Sequence, residues 1–358
     1  MLPEISFGIV GGGWRSEAYL RIAHELPERF SVSGIVVRDA AKGARVEREW
    51  GVRSYRTHEE MVASTAPDFV VLSVPWPVTP ELIRWCAARD LPVLAETPPA
   101  PDNAALAALM ADIPASARVQ VAEQYPFQPH LAAAIAVANS GKLGVVSQVQ
   151  LSVAHGYHGV AIIRKLLGLR CAPAVIEGFA FSTPLVNGPN RDGAPVEETI
   201  AQSYQTINSL RFGDQVAIFD FTGEQYFSWI RSQRILVRGE RGEINNDVVR
   251  SLRDFRTPLR EEFYRANAGE NGNLEGYHLK GIQLGGDWVY TNPFAGARLN
   301  DDEIAIATCL EKMGAYAAGG PSFYSLAEGT YDHYLGNLIN ASAQQGIRVE
   351  APVPEWMG

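Results

Sequence analysis

The chain has 358 residues, 46% of them hydrophobic and 20% charged, with a formal net charge of −9. That length suits two domains, each able to bury a core without a disulfide or metal staple. The acidic balance argues against a nucleic-acid backbone or an anionic membrane as main partner, because neither field attracts a negative protein.

In chain order, Ile5 to Val10 (ISFGIV) is the kind of apolar run that makes a buried parallel strand. It enters Gly11-Gly12-Gly13, and a helical pattern follows from Glu17 to about His24. The β-branched run Val32 to Val37 predicts a second strand. Asp39 then opens a helix that closes at Trp50-Gly51, with the glycine as its stop. Thr57-His58-Glu59-Glu60 has capping-box spacing for the next helix. Phe69 to Val74 is again a buried strand, and Thr79-Pro80-Glu81 reads as cap, first-turn proline and first-turn acid of a helix reaching Arg89. Pro92 to Ala95 returns to strand. Strands alternating with helices imply βαβ units and a parallel sheet, so residues 1–122 are expected to form a doubly wound Rossmann domain.

Beyond Pro126 the periods change. Pro129 to Asn139 is an alanine-rich helix stopped by Ser140-Gly141; a strand (Val145 to Val153) and a helix from about Gly159 to Leu167 follow. Gln202 to Phe212, Val216 to Phe221 and Arg234 to Arg238 alternate apolar and polar residues, which predicts a large, mostly antiparallel sheet with one covered and one open face. Asn187 to Pro195 reads as a surface loop. Capping boxes at Asn300 to Glu303 and Ser325 to Glu328 start C-terminal helices. Residues 123–358 are therefore expected to form a second, α+β domain, whose last helices can pack back on the first.

The three cysteines, Cys86, Cys171 and Cys309, are widely spaced and form no C-x-x-C pair, which predicts reduced, structural thiols in a cytoplasmic protein. No apolar run reaches the about 18 residues of a membrane span, and no charged leader precedes the first strand, which predicts no signal peptide. No His, Cys, Asp and Glu grouping has ligand spacing, so no metal is expected. Asp332-His333 reads as second-domain surface or subunit contact.

Gly11-x-Gly13-x-x-Ser16 lies where a dinucleotide fingerprint belongs, between a buried strand and a helix. Gly11 allows the tight turn, and Gly13 lets the backbone approach a diphosphate at the helix N-terminus. Ser16 is small enough for the third, packing position. With Gly12, Trp14 and Arg15 these residues are the expected cofactor loop. The second strand ends at Val37, about 20 residues past Ser16, where NAD-specific folds carry an acid for the ribose 2′-hydroxyl. Val37 cannot play that part, and Arg38 follows it. A fork of Arg38 and Arg15 around a 2′-phosphate would favour NADP over NAD.

The chain resembles the Gfo/Idh/MocA (glucose-fructose oxidoreductase and inositol dehydrogenase-like) oxidoreductases over nearly its whole length. The anchors are the glycine loop, Val71-Leu72-Ser73-Val74-Pro75 with Glu81, and Val93-Leu94-Ala95-Glu96-Thr97-Pro98 in the place of the family's Glu-Lys-Pro. Ser140-Gly141-Lys142-Leu143-Gly144 follows, and His158 through Arg164 to Leu166-Leu167-Gly168 is similar to the family's H-x-x-D-x-x-R-x-L-L-G. The resemblance implies hydride transfer between a nicotinamide and a carbon bearing oxygen or nitrogen, commonly on a sugar or cyclitol. It also implies Val74, Pro75, Glu96, Thr97 and Pro98 beside the cofactor, His158 as proton carrier, and a homodimer or homotetramer through second-domain sheets. The departures are Thr97 for the lysine, Ala154 for the aspartate four residues before His158, and Ala161 for the later aspartate. A neutral threonine cannot supply a lysine's electrostatics.

Candidates to compensate are Tyr125, Tyr157 and His155, each also readable as a packing, strand-end or cap residue, while Trp76 either walls the pocket or packs. Lys165 reads as a solvated helix face. Three functional readings stand beside the NAD(P)-dependent oxidoreductase of a small sugar-like carbonyl or alcohol. One is a non-catalytic sensor of the same fold, as in a galactose-pathway repressor, and another is a reductase of imines or non-sugar ketones. The last is a redox-assisted glycosidase or lyase.

Overall fold

The computed structural model describes residues 4–269 and 276–357. The chain divides into two compact units: Met1–Pro129 with Ala266–Lys280 and Asn292–Thr330, and His130–Arg265 with Gly281–Thr291 and Tyr331–Gly358. The segments containing 301–317 thus cluster with the N-terminal unit, and the chain passes between units more than once.

The first unit is built on a parallel sheet of β1 (Ile5–Val10), β2 (Phe30–Val36), β3 (Ser54–Tyr55), β4 (Phe69–Leu72), β5 (Val93–Ala95) and β6 (Val119–Val121), in the order β3-β2-β1-β4-β5-β6. Its connections are α1 (Trp14–Glu25), α2 (Ala40–Trp50), α3 (His58–Thr65), α4 (Thr79–Ala87) and α5 (Asn103–Asp112). The strands read as apolar runs because both faces are covered: Phe7, Ile9, Ile35, Phe69, Val71, Leu94 and Val121 are fully buried. Asp39 accepts the Lys42 N–H and Gly51 ends α2 at φ 68°, as the sequence predicts. Helix α1 begins at Trp14, a turn earlier than expected, and Val78 rather than Thr79 caps α4, without a side-chain bond.

The second unit begins with α6 (Pro129–Asn139) and carries a nine-stranded sheet. Its strands are β7 (Val146–Ser152), β8 (Ala174–Val186), β9 (Ile200–Phe212), β10 (Gln215–Phe221), β11 (Arg234–Gly239), β12 (Gly242–Asn245), β13 (Val248–Asp254), β14 (Thr257–Glu262) and, at the far edge, a C-terminal strand (Val349–Ala351). The order runs β14-β13-β12-β11-β7-β10-β9-β8 and ends on that strand; only β7 and β10 pair in parallel. One face is covered by α7 (Gly156–Leu167). Gly159 makes the close approach possible: a Cβ there would lie 2.4 Å from the Phe219 ring. The opposite face leaves Phe179 exposed, with the Phe181 ring centroid 6.1 Å from it, in the alternation read from sequence.

Two long helices complete the chain. Helix α8 (Asp301–Ala317) starts with a reciprocal capping box of Asn300 and Glu303, and α9 (Leu326–Gln345) starts with one of Ser325 and Glu328. No helix among the described residues is long and apolar enough to cross a membrane.

Candidate active site

In the first unit, strand order reverses between β1 and β4, the switch point where open α/β sheets take ligands at their strand C-termini. The glycine loop lies there. Gly11 has φ 119°, and a Cβ would sit 1.9 Å from the Ser73 carbonyl oxygen, so the position admits only glycine. The Ser16 hydroxyl donates to the Gly11 carbonyl at 3.0 Å, closing the loop beneath α1. Gly13 caps α1 with extended backbone and no side-chain bond, and a Cβ there would meet no atom within 4 Å. Orphan N–H groups at a helix start facing open space are what a diphosphate needs, so these residues fit a dinucleotide.

The end of β2 is basic. Val37 is buried, its methyl 3.1 Å from where a Gly12 Cβ would be, and the Lys42 chain passes 3.5 Å from the same point. Arg56 donates to the Val37 carbonyl at 2.6 Å, and Arg38 is exposed. Arg15 does not join them. Its guanidinium pairs with Asp302 at 3.1 Å and Glu96 at 3.6 Å and lies over Trp14. Burial alone would lower its pKa, but the two carboxylates outweigh that and raise it. The expected fork of Arg15 and Arg38 is therefore corrected: ion pairing inside the unit occupies Arg15.

Glu96 is held on its other side by the Tyr19 hydroxyl, which donates at 2.5 Å. Burial, then the Glu96 charge, push the Tyr19 phenol well up, so it stays a donor. Thr97 follows at the end of β5, half-buried, with Pro98 buried behind it; Val74 is half-buried, and Pro75 and Trp76 are exposed. Tyr125 opens a short 3-10 turn, half-buried, its N–H donating to the Glu123 carboxylate at 3.2 Å. Burial pushes the Cys86 thiol up to about 12 and Cys309 well above its ordinary value, which removes both as nucleophiles at neutral pH.

In the second unit α7 starts at Gly156, one turn before the expected Gly159, with His155 as its cap residue. The poor helix formers in Gly-Tyr-His hide this start in the sequence. The early start gathers His155, Tyr157 and His158 on the first turn. The ring centroids of His155 and His158 are 5.0 Å apart, those of Tyr157 and His158 4.4 Å, and His333 from α9 stands 5.3 Å from Tyr157. His158 is buried, whereas His155 is exposed. Tyr226, on the turn after β10, shares a 2.6 Å hydrogen bond with His155 Nδ1 and accepts the His155 backbone N–H at 3.1 Å. Asp332 and His333 are buried, which corrects the expected surface position. Asp332 forms a two-pronged pair with Arg164, Nε to Oδ1 at 2.6 Å and Nη2 to Oδ2 at 3.0 Å. Among the described residues no group of three His, Cys, Asp or Glu is placed to hold a metal ion. A cavity of about 370 Å³ lined by Asn187, Glu197, Trp229 and Ile230 includes none of the histidines.

Residues 5–125 match the model of the GFO_IDH_MocA oxidoreductase family, NAD-binding Rossmann fold. The N-terminal domain is of the Gfo/Idh/MocA type. Among solved structures, a levoglucosan dehydrogenase in complex with NADH and levoglucosan aligns at TM-score 0.70 and 16% identity, over 98% of this chain and 100% of that one. An oxidoreductase from Agrobacterium radiobacter in complex with NAD+, L-tartaric acid and magnesium aligns at 0.66 and 17%, over 97% and 98%. An NAD-binding oxidoreductase from Klebsiella pneumoniae aligns at 0.70 and 15%, over 98% and 99%. These likenesses establish a shared two-domain fold. No curated protein sequence matches the chain.

Against the Gfo/Idh/MocA pattern, the positions of both aspartates, Ala154 and Ala161, are fully buried. No carboxylate has simply moved within α7: its first turn offers aromatic and imidazole groups instead. Tyr226, His333, Lys42 and Arg56 are additions that sequence reasoning missed. The Tyr226 turn was signalled by Thr222-x-x-Gln225, a capping box now seen with both bonds made.

Proposed function

We propose that the protein is an NAD(P)-dependent oxidoreductase, preferring NADP, that acts on a small sugar-like or related polar carbonyl or alcohol. The observation that carries this is the loop at the sheet's switch point: Gly11 wedged against Ser73, and open space over Gly13 at the start of α1. A bound nicotinamide dinucleotide supplies or accepts the hydride. The chain's own part begins with the Gly12 and Gly13 backbone, which holds the diphosphate. Arg38, Lys42 and Arg56 supply positive charge toward a 2′-phosphate, since Val37 offers no acceptor for a ribose hydroxyl. Thr97, Pro98, Val74 and Pro75 border the nicotinamide end. His158 exchanges the proton of the substrate oxygen, with Tyr157 beside it and Tyr125 as a further donor. The open sheet face around Phe179 and Phe181 pairs with a second copy as a homodimer or homotetramer.

The test is turnover of NADPH and NADP with a panel of carbonyls, imines and polyols. His158→Ala should cost at least about 100-fold in kcat on the best substrate; unchanged turnover would remove the assignment. Arg38→Ala, Lys42→Ala and Arg56→Ala should each weaken NADPH while sparing NADH, and equal wild-type affinities for both would end the NADP preference. Thr97, Ala154 and Ala161 favour one second reading, a dinucleotide-dependent sensor: tight cofactor binding with no turnover across the panel would select it.

A further inference from the structure

The Tyr226 hydroxyl meets His155 twice, at its backbone N–H and at Nδ1. Tyr226 sits on a rigid turn: Thr222 accepts the Glu224 N–H, Gln225 accepts the Thr222 N–H at 3.0 Å, and the Gln225 amide donates to the Ser232 carbonyl at 2.7 Å. The Phe221 ring packs edge-on against Tyr226 at 4.9 Å. The Tyr226 oxygen accepts the backbone N–H of His155 and lies 2.6 Å from Nδ1, within reach for its own hydrogen to be donated there. An imidazole that accepts at Nδ1 carries its own hydrogen on Nε2 when neutral. Among the described residues Nε2 meets no hydrogen-bond partner, and His155 keeps an exposed side.

We propose that His155 is a catalytic residue of this site, a neutral Nε2–H donor to the substrate's reacting oxygen, and that Tyr226 is the positioning residue that fixes its tautomer. The inference rests on the oxidoreductase reading and adds to it the group that does what Thr97 cannot. The donor lies on the first turn of α7, the same turn as His158, so proton carrier and oxygen-binding donor are separate imidazoles on one element. Crowding by the surrounding protein, then repulsion from His158 and His333, push His155 down to about 4, which keeps it uncharged at neutral pH. The groups facing it are Tyr157 and His158 on α7, Tyr226 on the turn after β10, and His333 on α9. A neutral donor selects a substrate carbonyl or hydroxyl over a carboxylate, whose charge it does not neutralise.

The test has two readouts. In the intact protein labelled with 15N-histidine, long-range 15N–1H spectra should show His155 as the Nε2–H tautomer from pH 8 down to about 5. Tyr226→Phe should give a mixture of tautomers and a raised titration midpoint. In kinetics, His155→Leu should lower kcat/KM on the best substrate about 100-fold with dinucleotide affinity unchanged, and His155→Gln, which retains a donor near Nε2, should recover part of it. A resident Nδ1–H tautomer, or a His155→Leu enzyme as active as wild type, overturns the proposal. A wild type that turns over nothing sinks the oxidoreductase reading instead and takes this donor's catalytic role with it, whatever tautomer the spectra show.

Discussion

Removing the Asp332 carboxylate should destabilise the second unit more than any single change at its surface. Arg164 is fully buried and Asp332 nearly so, and their two short bonds leave both oxygens engaged. Arg164 also donates from Nη1 to the carbonyls of Leu169 and Arg170, so it closes the C-terminal end of α7 while α9 supplies its counterion. Asp332→Ala strands a guanidinium in the core, a situation that costs about 3–5 kcal/mol. For a unit of this size each kcal/mol lowers Tm by about 2–4 °C, which gives a loss of about 6–20 °C. The exposed Arg84–Asp112 pair has a similar 2.8 Å contact, yet Arg84→Ala should cost no more than about 1 kcal/mol, because solvent screens it. Burial, not distance, separates the two. Scanning calorimetry on both variants measures the difference. The double variant Arg164→Met with Asp332→Leu should lose less than the two single changes added together, because neither charge is then left alone. An Asp332→Ala protein melting within about 2 °C of wild type would refute the reasoning. The same variant should broaden the His158 and His333 signals, since the pair ties together the helices that carry them.

Other outcomes follow from single sites. Gly13→Ala should leave stability within about 1 kcal/mol, since φ is −79° and the methyl meets no neighbour, yet weaken dinucleotide binding at least about tenfold. Gly11→Ala should damage both, because its methyl collides with Ser73; calorimetry and ligand titration separate these cases. Stability should also fall as pH drops from about 6.5 toward about 4. Between those values the unfolded chain already holds the His155 proton and the folded one does not, so protons favour unfolding. Urea titrations across that window should show a shallower slope in His155→Gln than in wild type.

Much of the fold was legible because it rests on local signals. The buried runs at Ile5–Val10 and Phe69–Leu72, the Asp39 and Asn300 caps and the Gly51 stop all depend on neighbours within a few residues. The glycine loop was legible for the same reason. Pairings across long stretches were not. Arg15 reads as a free cation until Asp302, nearly three hundred residues on, is seen to occupy it. Asp332 reads as surface until Arg164 is found buried against it, and Tyr226 carries no sequence mark that points to His155. The α7 start was hidden because tertiary packing at Gly159 and Phe219 overrides weak propensity.

The most direct measurement is calorimetric titration of the folded protein with NADPH and with NADH. Saturable one-to-one heat with NADPH, weaker heat with NADH, and loss of both in Gly11→Ala are the expected results. Absence of heat from either dinucleotide with well-folded wild type would contradict the reading of Gly11 to Ser16 as a diphosphate cradle, and with it the enzyme built on that cradle.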